Sequence, residues 1–113
     1  MEALVAYVDI DDTLVCSVGA KRIPMPDMMR QVRDLHAQGF TLYAWSSGGG
    51  DYARSTASEL GLLVCFTGFL PKPNILIEDQ KPAEWRRLVW IHPLQAPGKV
   101  AADYLADLDR QNA

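Results

Sequence analysis

Asp9, Asp11 and Asp12 stand directly after an unbroken apolar run, and a second acidic pair, Glu78 and Asp79, ends another such run much later in the chain. Carboxylates gathered within a few ångströms repel one another, and in a partly dry pocket a cation or a shared proton must offset that repulsion. Oxygen-only ligands favour a hard ion, and Mg2+ is satisfied by one or two carboxylates, a backbone carbonyl, water and a substrate phosphate oxygen. Ser46 and Ser47 precede Gly48, Gly49 and Gly50, a run whose backbone amides can approach a ligand closely. Lys72, between Pro71 and Pro73, lies shortly ahead of the second acidic pair and can bring positive charge to the same crevice. These residue types point to Mg2+-assisted phosphate chemistry, provided the fold gathers them.

The elements that must do the gathering are legible as apolar runs and helical repeats. Residues 4–8 read as a strand buried on both faces and ending at Asp9. Residues 15–25 hold Gly19, Lys21, Arg22 and Pro24 without periodicity and read as a small flap or loop beside that strand end. Pro26 and Asp27 suit the first turn of a helix, Met28, Val32 and Leu35 recur at helical spacing, and Gly39 supplies the stop. Residues 40–45 read as a second buried strand and 51–60 as a short helix ended by Gly61, while 62–66, 74–77 and 88–91 are three further strand candidates. Val100, Tyr104 and Leu108 mark a last amphipathic helix. The expected fold is therefore α/β, one domain over residues 1–113 with a mostly parallel sheet of about five strands. The stretch 68–73 is too short for a helical crossover, which implies an antiparallel neighbour or a compressed connection. In such sheets ligands bind beyond the carboxyl ends of the strands, where Asp9, Ser46, Glu78 and Asp79 would converge.

These residues also carry a family resemblance. Val8-Asp9-Ile10-Asp11-Asp12-Thr13-Leu14 resembles the first motif of the haloacid dehalogenase-like phosphohydrolases, an apolar strand followed by Asp-x-Asp-x-Thr. Trp45-Ser46-Ser47-Gly48 resembles the second motif, Lys72-Pro73 the third and Ile75-Leu76-Ile77-Glu78-Asp79 the fourth, all in family order. Glu78-Asp79 stands where paired aspartates are more usual in that family. The resemblance implies a three-layer Rossmann-like core of the minimal, capless type, with only the flap at about 15–25 beside the site. It implies a Mg2+-dependent phosphomonoester hydrolase in which Asp9 attacks phosphorus to form an aspartyl-phosphate and Asp11 serves as acid and then base. Ser46 would donate to a phosphoryl oxygen, and Lys72 would offset charge on the nucleophile and the transferring group. Asp12 joins the phosphate-binding set, its loop or electrostatic role standing ahead of direct catalysis. Asp9, the Asp11 carbonyl, Asp79 and Glu78 would hold the metal, and Thr13 would stabilise the bend after the strand.

Composition narrows the partners. A formal net charge of -3 offers no broad attraction for a nucleic-acid backbone, and Arg30, Arg33, Arg86 and Arg87 read as solvated faces. Cys16 and Cys65 are widely spaced and suggest neither a disulfide framework nor a zinc cluster, compatible with a reducing cytoplasm. The apolar run of residues 3–8 is too short for a secretory segment, and no stretch reaches the roughly 18 apolar residues of a membrane span. The expected partner is a phosphorylated small molecule or macromolecule, and an uncapped site suggests a homo-oligomer or a large substrate that covers it. The leading rival is a catalytically weak phosphate- or metal-binding interaction module of the same fold. A phosphoacceptor signalling domain is weaker, because its acceptor would stand at the end of the third strand, where this chain has Val64, Cys65 and Phe66.

Overall fold

In the computed structural model, which describes residues 3–111, the chain runs β1 (Val5–Asp9), β2 (Val15–Val18), β3 (Lys21–Pro24), α1 (Pro26–Ala37), β4 (Thr41–Ser46), α2 (Gly50–Glu59), β5 (Gly68–Pro71) and α3 (Ala101–Gln111). Both ends of the expected 1–113 domain lie outside the described residues. Single turns of 3-10 helix occur at Leu63–Cys65 and Pro82–Glu84. None of the helices is long and apolar enough to cross a membrane among the described residues.

The strands form two small sheets, a parallel one in the order β1-β4-β5 and an antiparallel hairpin of β2 and β3. The single sheet of about five strands expected from the apolar runs is thus corrected to a three-stranded parallel sheet plus a hairpin. Strand register decides which side chains meet. Asp9 pairs with Trp45 and Ser46 with Pro71, so the three parallel strands end side by side and leave Asp9, Ser46 and Lys72 at one edge.

Along β4 burial alternates, with Leu42, Ala44 and Ser46 inside and Thr41, Tyr43 and Trp45 half-buried. The inner face meets Ala53, Thr56 and Ala57 of α2 and shares a core with Val32 and Leu35 of α1. The outer face carries an aromatic row in which the Tyr7 ring lies 5.3 Å from Tyr43 and 5.1 Å from Trp45. Val5 and Tyr7 on that face are 60% and 51% exposed, so β1 is not buried on both sides as its apolar run implies. Long aromatic side chains packed on one another lessen the cost of that exposure.

Three strand candidates shift or vanish. The run 62–66 is spent on closing α2, with Leu62 N–H donating to Ala57 O at 2.8 Å and Cys65 N–H to Leu62 O at 2.9 Å. The strand starts later, and the stretch 68–73 that looked like too short a crossover is largely β5 itself. Residues 74–77 and 88–91 form no strand, and Ile75, Ile77 and Trp90 are 80%, 95% and 81% exposed. An apolar run makes a strand only where a neighbour accepts and donates its backbone hydrogen bonds, and these two runs have no such neighbour. The flap at 15–25 is more regular than expected. It pairs Val15 with Pro24 through Val18 with Lys21, and Gly19 at φ +60° opens the tight turn.

Gln31 ties the last helix to the first. Its amide nitrogen donates to Lys99 O and Tyr104 Oη at 3.1 Å each, and its oxygen accepts from Gly98 N–H at 3.2 Å. It is 1% exposed, so removing the amide strands three partners in a nearly dry place. Gln31→Leu is expected to cost about 2 kcal/mol or more, read as a lower urea midpoint at unchanged denaturant slope.

Candidate active site

The loop after β1 is built around one carbonyl. Ile10 O accepts from the amides of Thr13, Leu14 and Val15 at 3.2, 2.9 and 3.2 Å, while Asp12 N–H donates to Val15 O at 2.6 Å. Asp12 sits at φ +62°, a region that aspartate tolerates better than most residues. Ile10 and Leu14 are fully buried beneath the loop and anchor it. Thr13, also buried, donates through its hydroxyl to Asp9 Oδ2 at 3.2 Å, so it orients the carboxylate as well as the bend. Asp11 and Asp12 are exposed.

The third motif meets Asp9 here, and the second ends beside it. Lys72 Nζ lies 2.9 Å from Asp9 Oδ1, with side-chain exposures of 35% and 33%. The lysine is steered by its own backbone, because Lys72 N–H donates to Ser46 O at 2.9 Å, one step beyond the last β4–β5 pair. Its ammonium also lies 5.9 Å from the Trp45 ring. An ion pair a third exposed contributes about 1 kcal/mol or less to stability, whereas a positive charge held against the reacting groups is worth about 100-fold to 1,000-fold in rate. Lys72→Met should therefore leave the unfolding free energy nearly unchanged while cutting any phosphate-ester turnover by about that factor. Denaturation curves and initial rates on the same preparation check both halves.

Ser46 is 1% exposed, and its Oγ accepts from Gly48 N–H at 3.0 Å. The hydroxyl thus supports the turn into α2, and nothing among the described residues accepts its proton. The glycine run serves packing: Gly49 has φ +105°, and a Cβ on Gly50 would lie 3.0 Å from Phe69 O. The third parallel strand, β5, delivers a lysine to this edge rather than the acid a phosphoacceptor domain would use there.

Tyr52, which the sequence places only within the 51–60 helix, reaches the acid loop. Its hydroxyl donates to Asp11 Oδ1 at 2.7 Å. That hydrogen bond first, then burial, pushes the Tyr52 phenol above its usual value, with the nearby Arg22 cation acting the other way. The signal was available in principle, since the first turn of a helix following a parallel strand faces the carboxyl ends of the sheet. Arg22 was likewise read only as part of the flap. Its guanidinium lies 5.1 Å over the Tyr52 ring and donates to Thr56 Oγ1 at 2.6 Å and Glu59 Oε2 at 3.2 Å.

The fourth motif makes no side-chain hydrogen bond or ion pair with the other three among the described residues. Glu78 and Asp79 are exposed, and Glu78 Oε2 accepts from Gln80 N–H at 3.0 Å within its own turn. Among the described residues no three acidic, histidine or cysteine side chains group closely enough to hold a metal ion. Mg2+ needs as few as one or two carboxylates, with water and substrate oxygens completing its octahedral shell. The Asp9 oxygens are engaged by Lys72 and Thr13, and Asp11 Oδ1 by Tyr52. A cleft of about 480 Å3 runs along the start of α2 and β5, lined by Gly50, Asp51, Arg54, Phe66 and Phe69, and does not include the acids of the first and fourth motifs.

Comparison of the chain with protein-family models, with curated proteins and with solved structures gave no match. The α/β fold and the contacts at the strand ends therefore rest on the chain's own geometry.

Proposed function

We propose that the chain is a Mg2+-dependent phosphomonoester hydrolase of the haloacid dehalogenase-like type it resembles, acting through an aspartyl-phosphate on Asp9. The observation that carries this reading is the 2.9 Å contact between Lys72 and Asp9 at the coincident ends of three parallel strands. Two motifs far apart in sequence meet there in the charge arrangement that phosphoryl transfer uses. A carboxylate oxygen of Asp9 forms the new bond to phosphorus as the bond to the leaving oxygen breaks, and Asp11 gives that oxygen its proton. Asp11 then takes a proton from water, which attacks phosphorus and releases Asp9 and inorganic phosphate. Thr13 holds the Asp9 carboxylate and Lys72 offsets its charge, while Ser46 and Asp12 would take the phosphate contacts that the resemblance implies. Asp9 and Asp11 would hold Mg2+, with Glu78 and Asp79 as the further ligands that the resemblance implies. When bound, the ion would neutralise charge on the transferring oxygens.

The lack of a group of three acids among the described residues favours a second reading, an interaction module of the same fold that binds phosphate or metal and turns over little. A panel of simple phosphate esters with and without Mg2+ separates the two. Metal-dependent phosphate release supports the hydrolase, and tight Mg2+ binding without release from any ester supports the module. The substrate is a phosphorylated small molecule or macromolecule, and the uncapped edge around Asp9 suits a homo-oligomer or a large substrate as the missing cover. Free Cys16 and Cys65 suit a reducing cytoplasm.

A further inference from the structure

We infer that Tyr52 is a positioning residue for Asp11, clamped in place from the flap by Arg22; the inference rests on the hydrolase reading and adds to it a residue outside the four motifs. Asp11 is exposed, and the Tyr52 hydroxyl at 2.7 Å is the side-chain donor that holds its Oδ1 among the described residues. The other carboxylate oxygen is left to face a leaving group. An unrestrained aspartate samples several rotamers, and a proton donor must lie within hydrogen-bond reach of the atom it serves.

The tyrosine is itself held by two contacts. A Cβ on Gly48 would lie 3.0 Å from Tyr52 Cδ2, so the ring rests directly against the glycine backbone. Arg22 adds a second contact, with its guanidinium 5.1 Å over the ring. Its remaining contacts, Thr56 and Glu59, fall on the same face of α2 as Tyr52, and Thr56 is 1% exposed. The hairpin of β2 and β3 is thereby bolted to α2, the helix whose Tyr52 holds the acid loop. The flap acts here as a brace for the proton donor.

The test compares kcat/KM for two esters, which reports events up to transfer of the phosphoryl group to Asp9. An alkyl phosphate needs its leaving oxygen protonated, while a nitrophenyl phosphate scarcely does. Tyr52→Phe is expected to lower kcat/KM about tenfold for the alkyl ester, the size of one hydrogen bond to a charged group, and by less than about twofold for the aryl ester. Arg22→Gln should reproduce that pattern more weakly. Equal losses on both esters, or none, would overturn the inference. Asp11→Asn run alongside separates the failures: if it keeps full alkyl-ester activity the hydrolase roles are wrong, and if it is crippled while Tyr52→Phe is not, only Tyr52 is misread. A double-mutant cycle on unfolding with Asp11→Ala and Tyr52→Phe reads the contact without any substrate. A coupling of about threefold or more in the unfolding constant supports it, and zero coupling sinks it.

Discussion

Replacing Asp9 by asparagine should abolish metal-dependent phosphate release, lowering turnover by about 10,000-fold or more, as loss of a nucleophile does in covalent enzymes. The exchange keeps shape and removes charge. An asparagine oxygen can still accept from Thr13 Oγ1, and the Lys72 contact it weakens is partly exposed, so the fold should lose about 1 kcal/mol or less. A variant that unfolds like the parent but releases no phosphate isolates the chemical role of the carboxylate. Trapping adds a second readout: the parent should yield a hydroxylamine-labile phosphoenzyme during turnover and the variant none. Undiminished release by Asp9→Asn would remove Asp9 as nucleophile, and with it the mechanism.

Asp11→Asn should be the next most damaging change, costing about 100-fold to 10,000-fold, the usual range for a general acid or base. Its effect should divide between the two halves of the reaction. With a nitrophenyl ester the first half needs little acid, so the variant should still release a burst of nitrophenol equal to the enzyme present. The second half needs a base for water, so phosphoenzyme should then accumulate and decay slowly. The Tyr52 hydrogen bond need not be lost, because an asparagine oxygen also accepts. Steady-state rates equal to the parent on both ester types would show that Asp11 handles no proton.

The acid loop of the candidate site was legible before any fold was known, for a chemical reason. Asp9, Asp11 and Thr13 follow a strand at fixed spacing, and local backbone rules suffice to turn such a loop, as the convergence of three amides on Ile10 O shows. Lys72 was harder to read, because a lysine between prolines is equally a surface turn. Only the β4–β5 register brings it onto Asp9. Tyr52 and Arg22 could not be read from spacing at all, since their contact joins a hairpin to a helix through partners distant in sequence.

Apolar periodicity was enough to establish an α/β chain, the apolar faces of its helices and the strands that end at Asp9 and Ser46, since burial pattern is a local property of sequence. Strand pairing is a property of neighbours, and there the folded structure had the last word. It made residues 68–71 a strand where the run at 62–66 looked better, and it left Ile75, Leu76 and Ile77 exposed without a partner. It also left β1 at the edge of the sheet, bonded only to β4. Strand pairing of that kind brings Lys72 onto Asp9, whereas Glu78 and Asp79 follow a run with no strand partner among the described residues, and the Glu78 carboxylate is engaged by its own turn.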